Sequence, residues 1–296
     1  MKIVNLGSLN LDNIYSVPHI ICGGETLLAG GMTESIGGKG LNQSVAVARS
    51  GSQIYHAGMI GTGGGQLKAY LDSSGVDTSL IQSCGETQGH TVIQVDPSGQ
   101  NSIIVCGGSN QKVDQKYVDQ TFGHFQAGDY LMLQNEISNL DYILKSAGQR
   151  GLRIVLNASP INDDLLRLDF SSLDWLVINE IECAAISGCV NARDGYRTLR
   201  DRYPDIGILL TVGAEGSVSW KDGKEIVQAA CPAEAIDTTG AGDTYVGYFI
   251  GCLAQGYSRR DSMRLASTAA AIAVSRRGAA PSIPTMDEVL ARSRAL

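Results

Sequence analysis

Short apolar runs recur along the chain at 3–6, 54–59, 130–133, 154–156, 176–178 and 208–211, each bounded by turn residues and followed by a segment of helical period. Continuous apolar runs of this length predict parallel strands buried on both faces. Between them, the segments 41–50, 66–74 and 139–149 stop at or near Gly51, Gly75 and Gly151, the residue type that most readily ends a helix. Two further helices are predicted over about 241–255 and 258–274, the second dense in alanine. Strand alternating with helix predicts an α/β fold layered around a mostly parallel sheet.

Two stretches, about 10–35 and 88–108, break this rhythm and lack helical period. In the second, strand-like segments at 91–95 and 102–106 flank the turn Asp96-Pro97-Ser98-Gly99, a hairpin pattern. Both stretches fit a small antiparallel sheet standing off the main body as a lid, within a single domain spanning 1–296. No internal repeat or low-complexity segment interrupts it.

Composition narrows the classes. Of 296 residues, 43% are hydrophobic and 18% charged, enough apolar surface for a sizeable core. A net charge of −7 supplies no basic stripe, so nucleic acid is not an expected partner. The seven cysteines are scattered and odd in number, with no Cys-x-x-Cys pair. That argues against a disulfide framework or a zinc site and fits the reducing cytoplasm. The first residues enter a strand-like run directly, so no leader is expected, and no run approaches the roughly 18 apolar residues needed to cross a bilayer.

Two glycine loops carry the candidate chemistry. Asp237-Thr238-Thr239-Gly240-Ala241-Gly242-Asp243-Thr244 opens a predicted helix, and its small residues let backbone amides converge. Free amides and the helix dipole together favour an anion such as a transferring phosphoryl group, with Gly240, Ala241 and Gly242 as the anion hole. Asp243, in the first turn, is positioned to take a proton from an attacking hydroxyl. Nearer the N-terminus, Gly37-Gly38-Lys39-Gly40-Leu41-Asn42 leads into another helix. Its glycines permit close approach of a ligand, and Asn42 offers both donor and acceptor to sugar hydroxyls. A P-loop is excluded because Thr33 stands five residues before Gly38, and no Gly-x-Gly-x-x-Gly follows the first strand.

The two loops together resemble the paired signatures of the ribokinase, or phosphofructokinase-B, family of carbohydrate kinases. The first signature extends from Gly37-Gly38 through Asn42, Ser44 and Gly51 to Gly61, and the likeness covers essentially the whole chain. Within the family the chain is most similar to the ribose-phosphorylating members, through Gly7-Ser8-Leu9-Asn10-Leu11-Asp12 and Gly24-Glu25-Thr26. The resemblance implies a three-layer α/β sandwich with the small β lid, ATP as co-substrate, Mg2+, K+ as activator and a homodimer paired through the lid. It also implies transfer of the γ-phosphoryl group to a primary hydroxyl, D-ribose becoming ribose 5-phosphate. The alternatives are a family kinase for another sugar or a nucleoside, or a sensor that keeps the fold without catalysis.

Carried over residue by residue, the resemblance assigns the sugar to Asn10, Asp12, Gly38, Lys39, Asn42, Glu136 and Asp243. It assigns the nucleotide to Asn179, to the loop Thr211-Val212-Gly213-Ala214-Glu215-Gly216, to Gly242 and to Ser267. Glu182 would hold Mg2+ through water. Asp237 and Thr239, with Ala273, Arg276, Gly278 and Ser282, would hold the monovalent cation. The chain departs from the family at Thr62-Gly63-Gly64-Gly65, where many members carry an aspartate, at Tyr245-Val246 in place of Phe-Asn, and at Tyr248 in place of a small residue. These departures bear on the acceptor rather than on the transfer.

Overall fold

The computed structural model describes residues 1–294. Thirteen strands form two sheets. In chain order they are β1 (Ile3–Leu6), β2 (Asn10–Ser16), β3 (Gly31–Gly37), β4 (Tyr55–Thr62), β5 (Asp77–Thr87), β6 (His90–Val95), β7 (Asn101–Cys106), β8 (Tyr130–Gln134), β9 (Arg153–Asn157), β10 (Leu173–Asn179), β11 (Gly207–Thr211), β12 (Ser217–Lys221) and β13 (Lys224–Gln228). The helices are α1 (Lys39–Arg49), α2 (Gly65–Ser73), α3 (Gln115–Phe122), α4 (Leu140–Gln149), α5 (Asp163–Leu166), α6 (Glu180–Ser187), α7 (Ala192–Arg202), α8 (Ala241–Ala254), α9 (Arg259–Ala273) and α10 (Met286–Arg294).

The large sheet runs β13-β12-β11-β10-β9-β8-β1-β4-β5, parallel except where β12 and β13 fold back antiparallel at one edge. Alternate strand residues face opposite layers, as the two-residue period of a strand requires. Ile3, Met132, Val155 and Val177 join a core with α1, α8 and α9, while Val4, Leu133, Leu156 and Ile178 join a second core with α3, α4, α6 and α7. This is the expected three-layer sandwich. The small sheet, β3-β2-β6-β7, contains the predicted hairpin β6–β7 and pairs β2 parallel to β6. Among the described residues no helix is long and apolar enough to cross a membrane, and all seven cysteines are free.

Three strands lie outside the sequence expectation. β5 forms the sheet edge, where its outer half is exposed and polar, so no apolar run marks it. β12 and β13 are joined by Asp222-Gly223, both at positive φ (53° and 73°), the Asp-Gly pair that a tight two-residue hairpin favours. That Asp-Gly pair was the signal available for this hairpin, whose strands are too short and polar to stand out as apolar runs.

One buried polar group sets an acid limit on stability. His56, on β4, is fully buried with Nδ1 2.8 Å from Ser44 Oγ. Loss of hydration pushes its pKa down from 6.5 to about 3. The unfolded chain therefore binds a proton that the folded chain refuses, so this stabilisation is complete above about pH 6.5 and is lost progressively as pH falls toward 3. Lowering pH from 7 to 5 should cost about 2 kcal/mol through this residue. Denaturant unfolding of the wild type and of His56→Gln at the two pH values checks it: the pH-dependent loss should shrink by about that amount in the variant.

Candidate active site

The parallel strands end on one side of the sheet, the side on which open α/β sheets place their ligands. Asn157, Asn179 and Thr211 stand at the C-terminal ends of β9, β10 and β11, and Glu136 lies two residues beyond β8. Over these ends lie the starts of α1 and α8.

The two helix starts differ in what they leave free. Gly38 and Gly240, both at positive φ (96° and 72°), precede α1 and α8 without any side-chain cap. In α1 the first amides are already used: Lys39 N donates to Glu136 Oε2 at 3.3 Å, Gly40 N to Ser8 Oγ at 3.2 Å and Leu41 N to Ser8 O at 3.0 Å. In α8 the Ala241 amide donates to Thr238 O at 3.2 Å, and the amides of Gly242 and Asp243 have no acceptor among the described residues. Of the expected anion hole of Gly240, Ala241 and Gly242, the Gly240 and Gly242 amides are free among the described residues, joined by that of Asp243, while the Ala241 amide closes the preceding turn.

Asp243 is 8% exposed, and both its oxygens are held by amides from α1. Asn42 Nδ2 donates to Oδ2 and Gln43 Nε2 to Oδ1, each at 3.0 Å. Asn42 Oδ1 is buried with no partner in the protein, an orphan acceptor of the kind a bound ligand would satisfy.

Asp243 borders a polar chamber of about 240 Å³, lined also by Lys39, Asn157, Ser159, Asn179, Glu182, Thr238, Gly240 and Gly242. It shares Thr211, Thr238, Ala241 and Gly242 with a second, mostly apolar chamber of about 550 Å³. Gly213, Ala214, Gly216, Pro232, Tyr245 and Ser267 line that one. Val212 packs on the second core, and neither it nor the exposed Glu215 lines either chamber. The Ser267 hydroxyl accepts from Cys231 N and donates to Ala229 O, so it ties the chamber wall together.

Electrostatics in the polar chamber are unbalanced. Burial alone would lower the pKa of Lys39, but the charges of Asp243, Glu136 and Glu182 outweigh it and hold the ammonium protonated. None of these carboxylates makes an ion pair with Lys39 within 4 Å. Burial raises the pKa of Glu136 and of Glu182. Glu182 forms a capping box with Asn179, accepting from its backbone N at 2.9 Å and its Nδ2 at 3.0 Å. Among the described residues no three His, Cys, Asp or Glu side chains converge as metal ligands.

On the other side of Asp243 lie Asn10, Asp12 and Glu136. Asn10 is buried, and its Oδ1 accepts from Asn110 Nδ2 at 2.7 Å, which leaves its own amino group for a ligand. Asp12 Oδ1 accepts from Thr91 Oγ1 at 2.7 Å, and burial raises the pKa of its carboxyl. Its Oδ2 lies over Gly37, where a Cβ would stand 1.8 Å away, so a side chain at 37 would displace the Asp12 carboxylate. Glu136 Oε2 accepts from Ser8 Oγ as well as from Lys39 N. The sequence reading missed Asn110 and Thr91, and with them Gln43 and Asn157. A polar residue closing an apolar strand run, as Asn157 does, was the signal available.

The loop at 273–282 meets Asp237. Asp237 accepts from Thr239 N at 2.9 Å and from Gly278 N at 2.8 Å, bonds that lower its pKa against the effect of burial. Ile236 N and Asp237 N both donate to Val274 O. Arg276 turns its guanidinium to Glu288, and Ser282 Oγ donates to Ala279 O. A Cβ on Gly240 would stand 3.0 Å from Ala279 Cβ, so this loop directly backs the start of α8.

The sequence and the fold are similar to those of known proteins. The family model described as pfkB family carbohydrate kinase matches residues 1–286. The chain belongs to that family. It is 35% identical to the ribokinase of Haemophilus influenzae over 96% of each chain. Its fold is similar to that of the ribokinase of Cryptococcus neoformans in complex with ADP, with a TM-score of 0.87, 32% identity and coverage of 98% and 99% of the two chains. The ribokinase of Arabidopsis thaliana complexed with ribose and ATP gives 0.85, at 29% identity and coverage of 99% and 98%. As a carbohydrate kinase of this family, the chain has both glycine loops and the aspartate that borders its polar chamber.

Proposed function

We propose that the chain is an ATP-dependent ribokinase, moving the γ-phosphoryl group of ATP to the primary hydroxyl of D-ribose. One observation carries this reading: the carboxylate of Asp243, fixed by two amides, stands beside free helix-start amides on the polar chamber, which shares Thr211, Thr238, Ala241 and Gly242 with the larger apolar one. The relatives crystallised with ADP, and with ribose and ATP, support the same pair of substrates.

In this reading the nucleoside lies in the apolar chamber beside Gly213, Ala214 and Tyr245, and the phosphates lie in the polar one. Asp243 accepts the proton of the primary hydroxyl as its oxygen bonds to the γ-phosphorus, while the bond from that phosphorus to the bridging oxygen breaks and ADP leaves. The amides of Gly242 and Asp243 and the ammonium of Lys39 meet the charge on the transferring group. A chamber lined by the carboxylates of Asp243 and Glu182, with the ammonium of Lys39 as its one cation, suits a triphosphate only with added positive charge, which supports Mg2+ held through water by Glu182. Bound there, the ion would neutralise charge between the phosphates. The carbonyls of Ala273, Arg276 and Gly278, with Asp237, would be the hard oxygen donors for a potassium ion, and Ala279 of the same loop backs the start of α8. The small sheet serves as the lid over the sugar.

Asp243→Asn should keep binding of ATP and ribose but lower turnover by about two to four orders of magnitude, the usual worth of a positioned base. Steady-state kinetics with calorimetric binding checks this, and near-normal turnover would remove Asp243 from the mechanism.

Three protein groups remain for adjacent secondary hydroxyls: Asn42 Oδ1, Asp12 Oδ2 and the amino group of Asn10. A missing hydroxyl strands such a group, at roughly 1 to 3 kcal/mol, so 2-deoxyribose should lose about five- to a hundredfold in kcat/KM. A panel of ribose, 2-deoxyribose, fructose and a nucleoside tests the preference. Fructose or a nucleoside ahead of ribose would sink the ribose assignment and leave the kinase.

Potassium should raise activity at constant ionic strength, with sodium a poor substitute. A flat response to potassium, titrated against a bulky organic cation, refutes the cation role of the 273–282 loop.

The small sheet leaves Met32 on β3 and Ile103, Ile104 and Val105 on its edge strand β7 more than half exposed. Bare apolar side chains on an open edge favour pairing of two lids in a homodimer. Sedimentation at micromolar concentration should give about twice 31.3 kDa; a monomer at that concentration contradicts this pairing.

A further inference from the structure

Gln43 follows Asn42 on α1, is 1% exposed and lines neither chamber. Its Nε2 donates to Asp243 Oδ1 at 3.0 Å and to Asn157 Oδ1 at 3.1 Å, and its Oε1 accepts from Gln134 Nε2 at 2.7 Å. Gln134 Nε2 also donates to Asn5 Oδ1 at 3.1 Å. Asn5 Nδ2 in turn donates to Gly40 O at 2.8 Å and to Ser44 Oγ at 3.0 Å.

These bonds fix which way every amide points. A backbone carbonyl only accepts, so Gly40 O requires the amino group of Asn5 and turns its carbonyl toward Gln134. That carbonyl requires the amino group of Gln134, which Gln134 also presents to Gln43. Gln43 is then left with its carbonyl inward and its amino group on Asp243. Both ends of the chain, a carbonyl at Gly40 and a carboxylate at Asp243, demand the same polarity. The arrangement holds although it leaves Gln134 Oε1 buried without a partner. A flipped Gln134 would set its carbonyl against those of Asn5 and Gln43, which is worse. Gly7 makes room for it, since a Cβ there would lie 2.4 Å from Gln134 Oε1.

We propose that Gln134, acting through Gln43, is a positioning residue for phosphoryl transfer: it locks the Gln43 amide with its donor on Asp243 and so keeps the carboxylate turned to the acceptor hydroxyl. The inference rests on Asp243 as the proton acceptor. An unlocked Gln43 amide can turn over and set its carbonyl against the carboxylate, and small losses of alignment at a reacting group cost rate rather than binding.

The test is kcat and KM for ribose and ATP in Gln43→Met, Gln134→Met and the double variant, with thermal melting of each. Gln43→Met should lower kcat about 10- to 100-fold and Gln134→Met about 5- to 30-fold, with both KM values within about twofold of wild type. The double variant should be no slower than Gln43→Met, because Gln134 reaches Asp243 only through Gln43. Losses that multiply in the double variant and follow the fall in melting temperature would mean a purely structural role and overturn the proposal. So would wild-type kcat in Gln134→Met. If that variant does not fold, Gln134→Asn, which keeps the amide but withdraws it by one methylene, carries the same expectation for kcat and KM. Asp243→Asn measured alongside separates the two levels. Wild-type turnover in it defeats the base reading and this inference together; loss of turnover there with normal rates in both glutamine variants defeats the inference alone.

Discussion

Helix α1 lies against α8 only because α8 carries no side chain at two points of contact. A Cβ at Gly247 would stand 2.4 Å from Ala46 Cβ and 2.8 Å from Gln43 O, and one at Gly251 would stand 2.1 Å from Ser50 Oγ. Alanine at 247 would gain about 1 kcal/mol of helix propensity, but forcing atoms into so close a contact costs about 1–3 kcal/mol and moves the helices apart. Separation matters more than stability here. Asn42 and Gln43 reach Asp243 at 3.0 Å from the next turn of the same interface, so the spacing of two helices sets the geometry of one carboxylate.

The same closeness explains where the molecule tolerates electrostatic imbalance. Lys39, Glu136, Glu182 and Asp243 are drawn from four separate segments onto the strand ends, largely shielded from water and without a direct ion pair to Lys39. Removing charges from water costs several kcal/mol per ion unless partners replace the lost hydration. A site that holds three acids around one cation without pairing them is therefore incomplete by itself. The orphan Asn42 Oδ1 and the unused amides of Gly242 and Asp243 lie in the same place, so the unmet demands are of both signs and adjacent. A hydroxyl-bearing acceptor and a metal-bound polyphosphate supply both.

Periodicity and turn residues made the main architecture legible. Buried parallel strands read as apolar runs because both of their faces are covered, and helices ended at glycines because a left-handed residue there costs glycine little. β5 was hidden because an edge strand with an exposed half need not be apolar. In the site, Asp243 and Asn42 were legible from glycine loops that are local in sequence. Gln134, Asn157 and Asn110 were not. Each is a single polar residue in or near an ordinary strand or turn, and its partner lies 91 to 114 residues away. The occupied amides of α1 were equally unreadable, since Ser8 and Glu136 arrive there from distant loops. Two glycine loops that look alike in sequence thus differ in the fold: one has its amides satisfied by the protein, and the other keeps them open.

That difference divides the work between the two helix starts. Polar residues at or next to the ends of β1, β8 and β9 face the α1 layer, where apolar side chains would pack more cheaply: a buried amide needs every bond made, and one orphan costs about 1–3 kcal/mol. Asn5, Gln134 and Asn157 bond to one another or to Gln43 and leave Gln134 Oε1 as the row's orphan, so the row holds without drawing on the amides of α8. The α1 side is a largely bonded network, with Asn42 Oδ1 and Gln134 Oε1 as its orphan acceptors, and holds its shape. The α8 side stays unsatisfied until a ligand arrives. Rigidity on one side and unmet bonding capacity on the other is what lets the charge that develops during transfer, rather than the resting protein, complete the arrangement.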